Sequence, residues 1–136
     1  MIENRPLDWT NMKGSNLIGA IMISGTRPNI PYIKNLDQKI LDILDQNKGE
    51  LDMRKWHTCE TTHCRAGWAI TLAGAKGYDL EVEFGTFLGG SLIYAKSYPD
   101  LPLPNFRSSN EDAMKDMRIR AGARGIKKAY KKENNK

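Results

Sequence analysis

The sequence predicts an α+β fold, mostly helical, in which a short N-terminal β coil or strand pair packs on a body of three to four helices. Three observations predict it. Apolar residues recur every five positions near the N-terminus, and further on they recur at helical spacing. Between the two regimes stands "RPNIP" (27–31), whose prolines can continue neither a ladder nor a helix.

The five-residue period runs through Leu7, Met12, Leu17 and Met22, with Thr10, Ser15 and Ala20 two positions before the last three. In register the segment reads "TNMKG SNLIG AIMIS". It resembles pentapeptide repeats, and the resemblance implies one coil of a square β-helix with its central Leu or Met inside. One coil cannot bury a continuous core alone. It therefore has to lie on the rest of the domain or on a second copy. An irregular strand pair is the plainer alternative.

Helical spacing begins at Leu36. With Asn35 as N-cap, Leu36, Ile40, Ile43 and Leu44 form one stripe over about 36–47, while Asp37, Lys39, Asp42, Asp45 and Gln46 face water. "ELDMRKW" (50–56) alternates weakly and reads as a short strand or an extended stretch. Thr61 or Thr62 caps a central helix over 63–75, apolar on most sides and interrupted by Gly67. "GAKGYDLE" reads as a turn, and 84–95 as a further helix weakened by Gly85, Gly89 and Gly90. Three prolines make "YPDLPLPNF" an extended link. The last helix starts at "SSNEDAMKDM", with Ser108 and Glu111 as a capping box.

The chain thus divides into a repeat-like segment (1–26), a helical Cys/His-motif domain (27–121) and a basic C-terminal tail (122–136). Of 136 residues, 40% are hydrophobic and 27% charged, which suits a soluble globular protein rather than a disordered one. The longest uncharged run, 14–26, is too short to span a bilayer, and Glu3, Arg5 and Asp8 interrupt any apolar leader. With two cysteines and no export signal, the expected compartment is a cytoplasm, with no membrane partner. The net charge of +5 is uneven: residues 118–136 carry +7 and the other residues sum to −2. Arg118, Arg120, Arg124, Lys127, Lys128, Lys131 and Lys132 are therefore the candidate partner-binding residues, toward phosphates or an acidic protein surface.

"WHTCETTHCRAGWAI" (56–70) holds the only cysteines and histidines in the chain. His57, Cys59, His63 and Cys64 are the candidate zinc ligands, although four ligands converging within eight residues would be unusual. Cys64, in the first turn of a helix, is the candidate nucleophile, with His57 or His63 as its base. A Cys59–Cys64 disulfide is a third reading, disfavoured in a reducing compartment. The reading that leads assigns these residues to fastening the start of a buried helix, with no cofactor and no catalytic residue.

From Met53 to Ala121 the chain resembles a small bacterial and phage domain without assigned activity. That domain is marked by "WHTC-x-TTHCRAGWAI-x-LAG", a Gly-Tyr turn, an "IY" helix and "S-N-E-D-A", and it often follows pentapeptide repeats. The resemblance implies a module of mobile elements working in a bacterial host and names no reaction. The expectation is a non-enzymatic accessory protein that binds a host protein or protein–nucleic-acid complex, as an inhibitor of a defence or nucleic-acid-handling complex. The alternatives are a cysteine- or metal-dependent hydrolase and an oligomerisation module acting through the N-terminal coil.

Overall fold

A computed structural model describes residues 12–25, 28–54, 62–122 and the backbone of 57–59, and these residues form five helices and a small sheet. The order is α1 (Gly14–Ile23), α2 (Leu36–Asp45), β1 (Glu50–Leu51), β2 (His57–Cys59), β3 (Thr62–His63), α3 (Arg65–Ala73), α4 (Ala75–Ser97) and α5 (Asn110–Ala121). The mostly helical α+β class holds. The strands lie in the order β1-β3-β2, with β1 parallel and β2 antiparallel to β3. No helix among the described residues is long and apolar enough to cross a membrane.

The described part of the repeat-like segment corrects the expected β coil: it is the helix α1. A helix satisfies its own backbone, whereas a lone coil has no neighbour to stack on. Residues five apart on a helix point about 140° from each other, so the five-residue spacing does not mark one buried face. Leu17 is buried, while Met22 stands 41% exposed. Two amides of the first turn find carbonyls in the proline-rich link, Gly14 N–H on Leu101 O (3.1 Å) and Ser15 N–H on Pro99 O (2.9 Å). They anchor α1 across the end of α4.

In α2 the predicted stripe is in place, with Leu36 and Ile40 fully buried. Asn35 is its N-cap but adopts a left-handed conformation (φ 57°) with no side-chain cap. The Tyr98 hydroxyl takes the Asp37 amide instead, at 3.0 Å. The expectation that Asp37 faces water is corrected, since Asp37 is fully buried.

"GAKGYDLE" is helical from Ala75 onward, and this also departs from the sequence reading. Leu80 is buried and holds the segment to the core. The break comes instead at Gly85, where φ 86° and ψ 169° interrupt α4 and divide it into 75–84 and 86–97. An L-residue rarely adopts that backbone. Among the described residues, α3 and α4 form the most extensive helix pair. They approach closely at two glycines of α4: a Cβ at Gly77 would stand 2.3 Å from Ile70 O, and one at Gly90 would stand 2.6 Å from the Cβ of Ala66. The α5 cap lies one residue beyond the predicted position. Ser108 turns its hydroxyl to the Ser109 carbonyl (3.2 Å), leaving Ser109 Oγ to accept the Asp112 amide at 3.1 Å. Glu111 and Asp112 in the first turn, and Arg118 and Arg120 in the last, complement the helix dipole.

Candidate functional site

The Cys/His stretch folds into β2 and β3 and then opens α3. Cys64 is the N-cap of α3, and its Sγ accepts the Gly67 amide at 3.3 Å. A second sulfur serves the same helix start, Met53 Sδ accepting the Arg65 amide at 3.4 Å. Four amides at a helix start lack intrahelical partners, and here thiol and thioether take two of them. The sequence reading gave this cap to Thr61 or Thr62; it is Cys64. Cys64 is a free thiol with no exposed surface. Burial pushes its pKa up, and the hydrogen bond from Gly67 only partly offsets this. A thiol so placed keeps its proton near neutrality, the opposite of what a cysteine nucleophile needs.

His63 is also buried. Its ring meets Trp68 edge-on, with centroids 4.6 Å apart and planes at 88°, and its Nε2 lies 3.5 Å from Thr71 Oγ1. Trp68 in turn donates its indole N–H to Glu50 O at 2.9 Å, which ties α3 to β1. His57 and Cys59 supply backbone to β2, and their side chains lie outside the described residues, so the four candidate zinc ligands cannot be placed as one set. Among the described residues no group of three His, Cys, Asp or Glu side chains is arranged to hold a metal ion.

One residue beyond Cys64 a different cluster begins. Arg65 is 1% exposed, and each of its nitrogens has a partner. Its Nε donates to the Tyr94 hydroxyl (2.9 Å), Nη1 to Asp116 Oδ2 (2.7 Å) and Nη2 to Asp37 Oδ2 (3.1 Å). Tyr94 O–H donates to the other oxygen of Asp37. The guanidinium also lies over the Tyr94 ring, 4.9 Å from its centroid. Arg120 extends the cluster, giving its Nε to Asp116 Oδ2 (2.8 Å) and an Nη to Pro102 O (2.5 Å). Burial raises the Asp37 pKa, and the charges of Arg65 and Arg120 pull it back. Burial pulls the Arg65 pKa down, but Asp37, Tyr94 and Asp116 more than compensate and raise it above the ordinary arginine value. The cluster joins α2, α3, α4 and α5. It is enclosed, and Asp116, at 27% exposure, is its most accessible carboxylate.

Comparison with known protein families, curated proteins and solved structures finds no match to this chain.

The candidate partner-binding residues divide. Arg118 is on the surface, 57% exposed and 3.7 Å from Asp45, a loose pair that water and salt screen. Arg120 is a correction: it is 5% exposed and spends its charge inside, because α5 needs a cation to share Asp116 with Arg65. Arg124, Lys127, Lys128, Lys131 and Lys132 lie outside the described residues. Sequence reasoning turned Asp37 toward water and did not single out Arg65, Tyr94 or Asp116. One signal was available. Arg65 stands within "CRAGWAI", a helical stretch apolar on most sides, and an arginine there must either break the helix face or carry its counter-ions inward.

Proposed function

We propose that this chain is a non-enzymatic accessory protein of a phage or mobile element that acts by binding a host macromolecule, with a nucleic-acid-handling or defence complex as the target class. The observation that carries this reading is the interior placement of Cys64 and His63. Thiol, imidazole and indole are spent on a helix cap, a ring contact and a strand tether, which leaves recognition to the outer surface. The uneven charge supports a partner rich in phosphate or carboxylate, since Arg118 and the lysine-rich residues after it carry the excess. The mobile-element origin rests on the resemblance of the "WHTC…CRAGWAI" stretch, and the cytoplasm of a bacterial host is the matching compartment.

The test is an affinity pull-down from bacterial host lysate, with and without nuclease. A protein retained after nuclease treatment supports the reading, as does one whose capture depends on nucleic acid. Deleting residues 122–136 is expected to weaken capture while leaving the thermal unfolding of the body in place. Hydrolysis abolished by Cys64→Ser in a protein that still folds would sink the reading.

A further inference from the structure

Among the described residues, the sheet has an unpaired edge on the side opposite the Cys/His stretch. β1 is an outer strand, and Asp52 N–H donates to His63 O at 3.0 Å. In a strand, successive residues point their N–H and C=O to opposite edges. Leu51 therefore turns its own N–H and C=O away from β3, and no described residue bonds either group. The next amide on that edge, Met53 N–H, is closed by the Asn110 side chain at 2.7 Å, where α5 begins. Between β1, the end of α2 and the start of α5 lies a cleft of about 380 Å³. Leu44, Leu51 and Met114 supply its apolar lining. Glu50, on the cleft, and Glu111, next to Asn110, are exposed carboxylates with no ion pair among the described residues.

We propose that this cleft takes an extended, basic segment of a protein partner by strand addition to β1. Leu51 provides one donor and one acceptor to the added backbone, an apolar side chain of the partner sits between Leu44 and Met114, and flanking lysines or arginines meet Glu50 and Glu111. Backbone bonds give affinity in this mode and side-chain pockets give selectivity. Carboxylates beside the edge repel nucleic acid, so the charge argues for a cationic peptide. The inference rests on the reading of the chain as a binding module but uses a surface distinct from residues 122–136.

The probe is a fluorescently labelled Lys-Ile-Lys-Val-Lys peptide added to the full chain, followed by anisotropy and by the amide resonance of Leu51. Saturable binding that shifts Leu51 is expected. Methylating the central peptide nitrogen should weaken it about fivefold, the size of one net hydrogen bond, and Glu50→Lys should weaken it about threefold through the rim charge. Glu50 is exposed and its structural contact is through the backbone carbonyl, so this variant keeps the fold; Glu111→Lys is the second variant. No saturable binding, equal binding of the Glu-Ile-Glu-Val-Glu peptide, or binding indifferent to both methylation and Glu50→Lys would overturn the proposal. Binding that tightens when residues 122–136 are removed would name the chain's own lysine-rich end as occupant, and the external partner would fall. Loss of lysate capture on that deletion, with peptide affinity unchanged, would separate this site from the one proposed above.

Discussion

Cys64 and Arg65 are adjacent in the chain and both are buried, yet they secure the fold by different physics. Cys64 works locally: its sulfur accepts one amide three residues on, and burial keeps it a neutral thiol. Arg65 works at long range, reaching residues 28, 29 and 51 positions away and holding a full charge in the interior. Removing the sulfur leaves an amide short of one weak acceptor. Removing the guanidinium leaves the fully buried Asp37 without its ion-pair partner and takes from Asp116 one of its two arginines. The rarer chemistry thus carries the smaller energy. An ordinary arginine carries the larger one, because desolvated charge is far more costly to orphan than a neutral polar group.

The largest expected effect breaks the Arg65 side of this comparison. Arg65→Met should destabilise the fold by about 3–5 kcal/mol, the cost of leaving a buried charge uncompensated. Urea unfolding measures it, and a loss below about 1 kcal/mol would mean that the cluster is dispensable. The double variant Asp37→Leu/Arg65→Met should recover much of the loss, because the penalty lies in the orphan and not in the missing pair.

Tyr94→Phe is expected to cost about 1–3 kcal/mol at neutral pH, since one hydroxyl both donates to Asp37 and accepts from Arg65. It also has a pH signature. Burial raises the phenols of Tyr94 and Tyr98 above the ordinary value of 10.0. The folded chain therefore keeps protons that the unfolded chain releases. The stabilisation is complete below pH 10 and is lost as the pH climbs toward the folded values. Melting temperature measured from pH 9 upward should fall more gently in Tyr94→Phe than in the parent. An equal slope would refute the assignment.

The smallest effect is on the sulfur side. Cys64→Ala should cost about 1 kcal/mol, as cap removals do, and Cys64→Ser less, because serine is itself a favoured N-cap. Partner capture should be unchanged in both. In a Cys59→Ser background, Cys64 should resist a thiol reagent until the protein is unfolded; rapid modification of the native chain would place the sulfur at the surface instead.

The parts of the fold that follow local rules were legible in the sequence. The α2 stripe, the acidic first turn of α5 and the short strand at 50–51 rest on residues within one or two turns of each other. The β coil failed because a period in one strip of sequence does not say whether neighbours exist to stack on it, and α1 lies instead against α4 and the proline-rich link. The Cys/His stretch was legible as a helix start, with the cap assigned to threonine when cysteine and methionine perform it. The Arg65 cluster was hidden for a different reason. Its members come from four helices far apart in sequence, and each looks like a surface residue until the tertiary packing brings them together. Asp37 illustrates this: its helical position suits solvent, and it is Tyr94, Tyr98 and Arg65 that draw it inward.

The enclosure of this cluster has a practical corollary for assays of recognition. Mobile ions weaken pairs that water reaches, such as Arg118 with Asp45 and Arg54 with Asp52, and they scarcely touch charges shut away from solvent. Raising the salt concentration should therefore strip a bound partner while the melting curve of the body stays where it was. A titration with sodium chloride then reads the exterior of the molecule by itself.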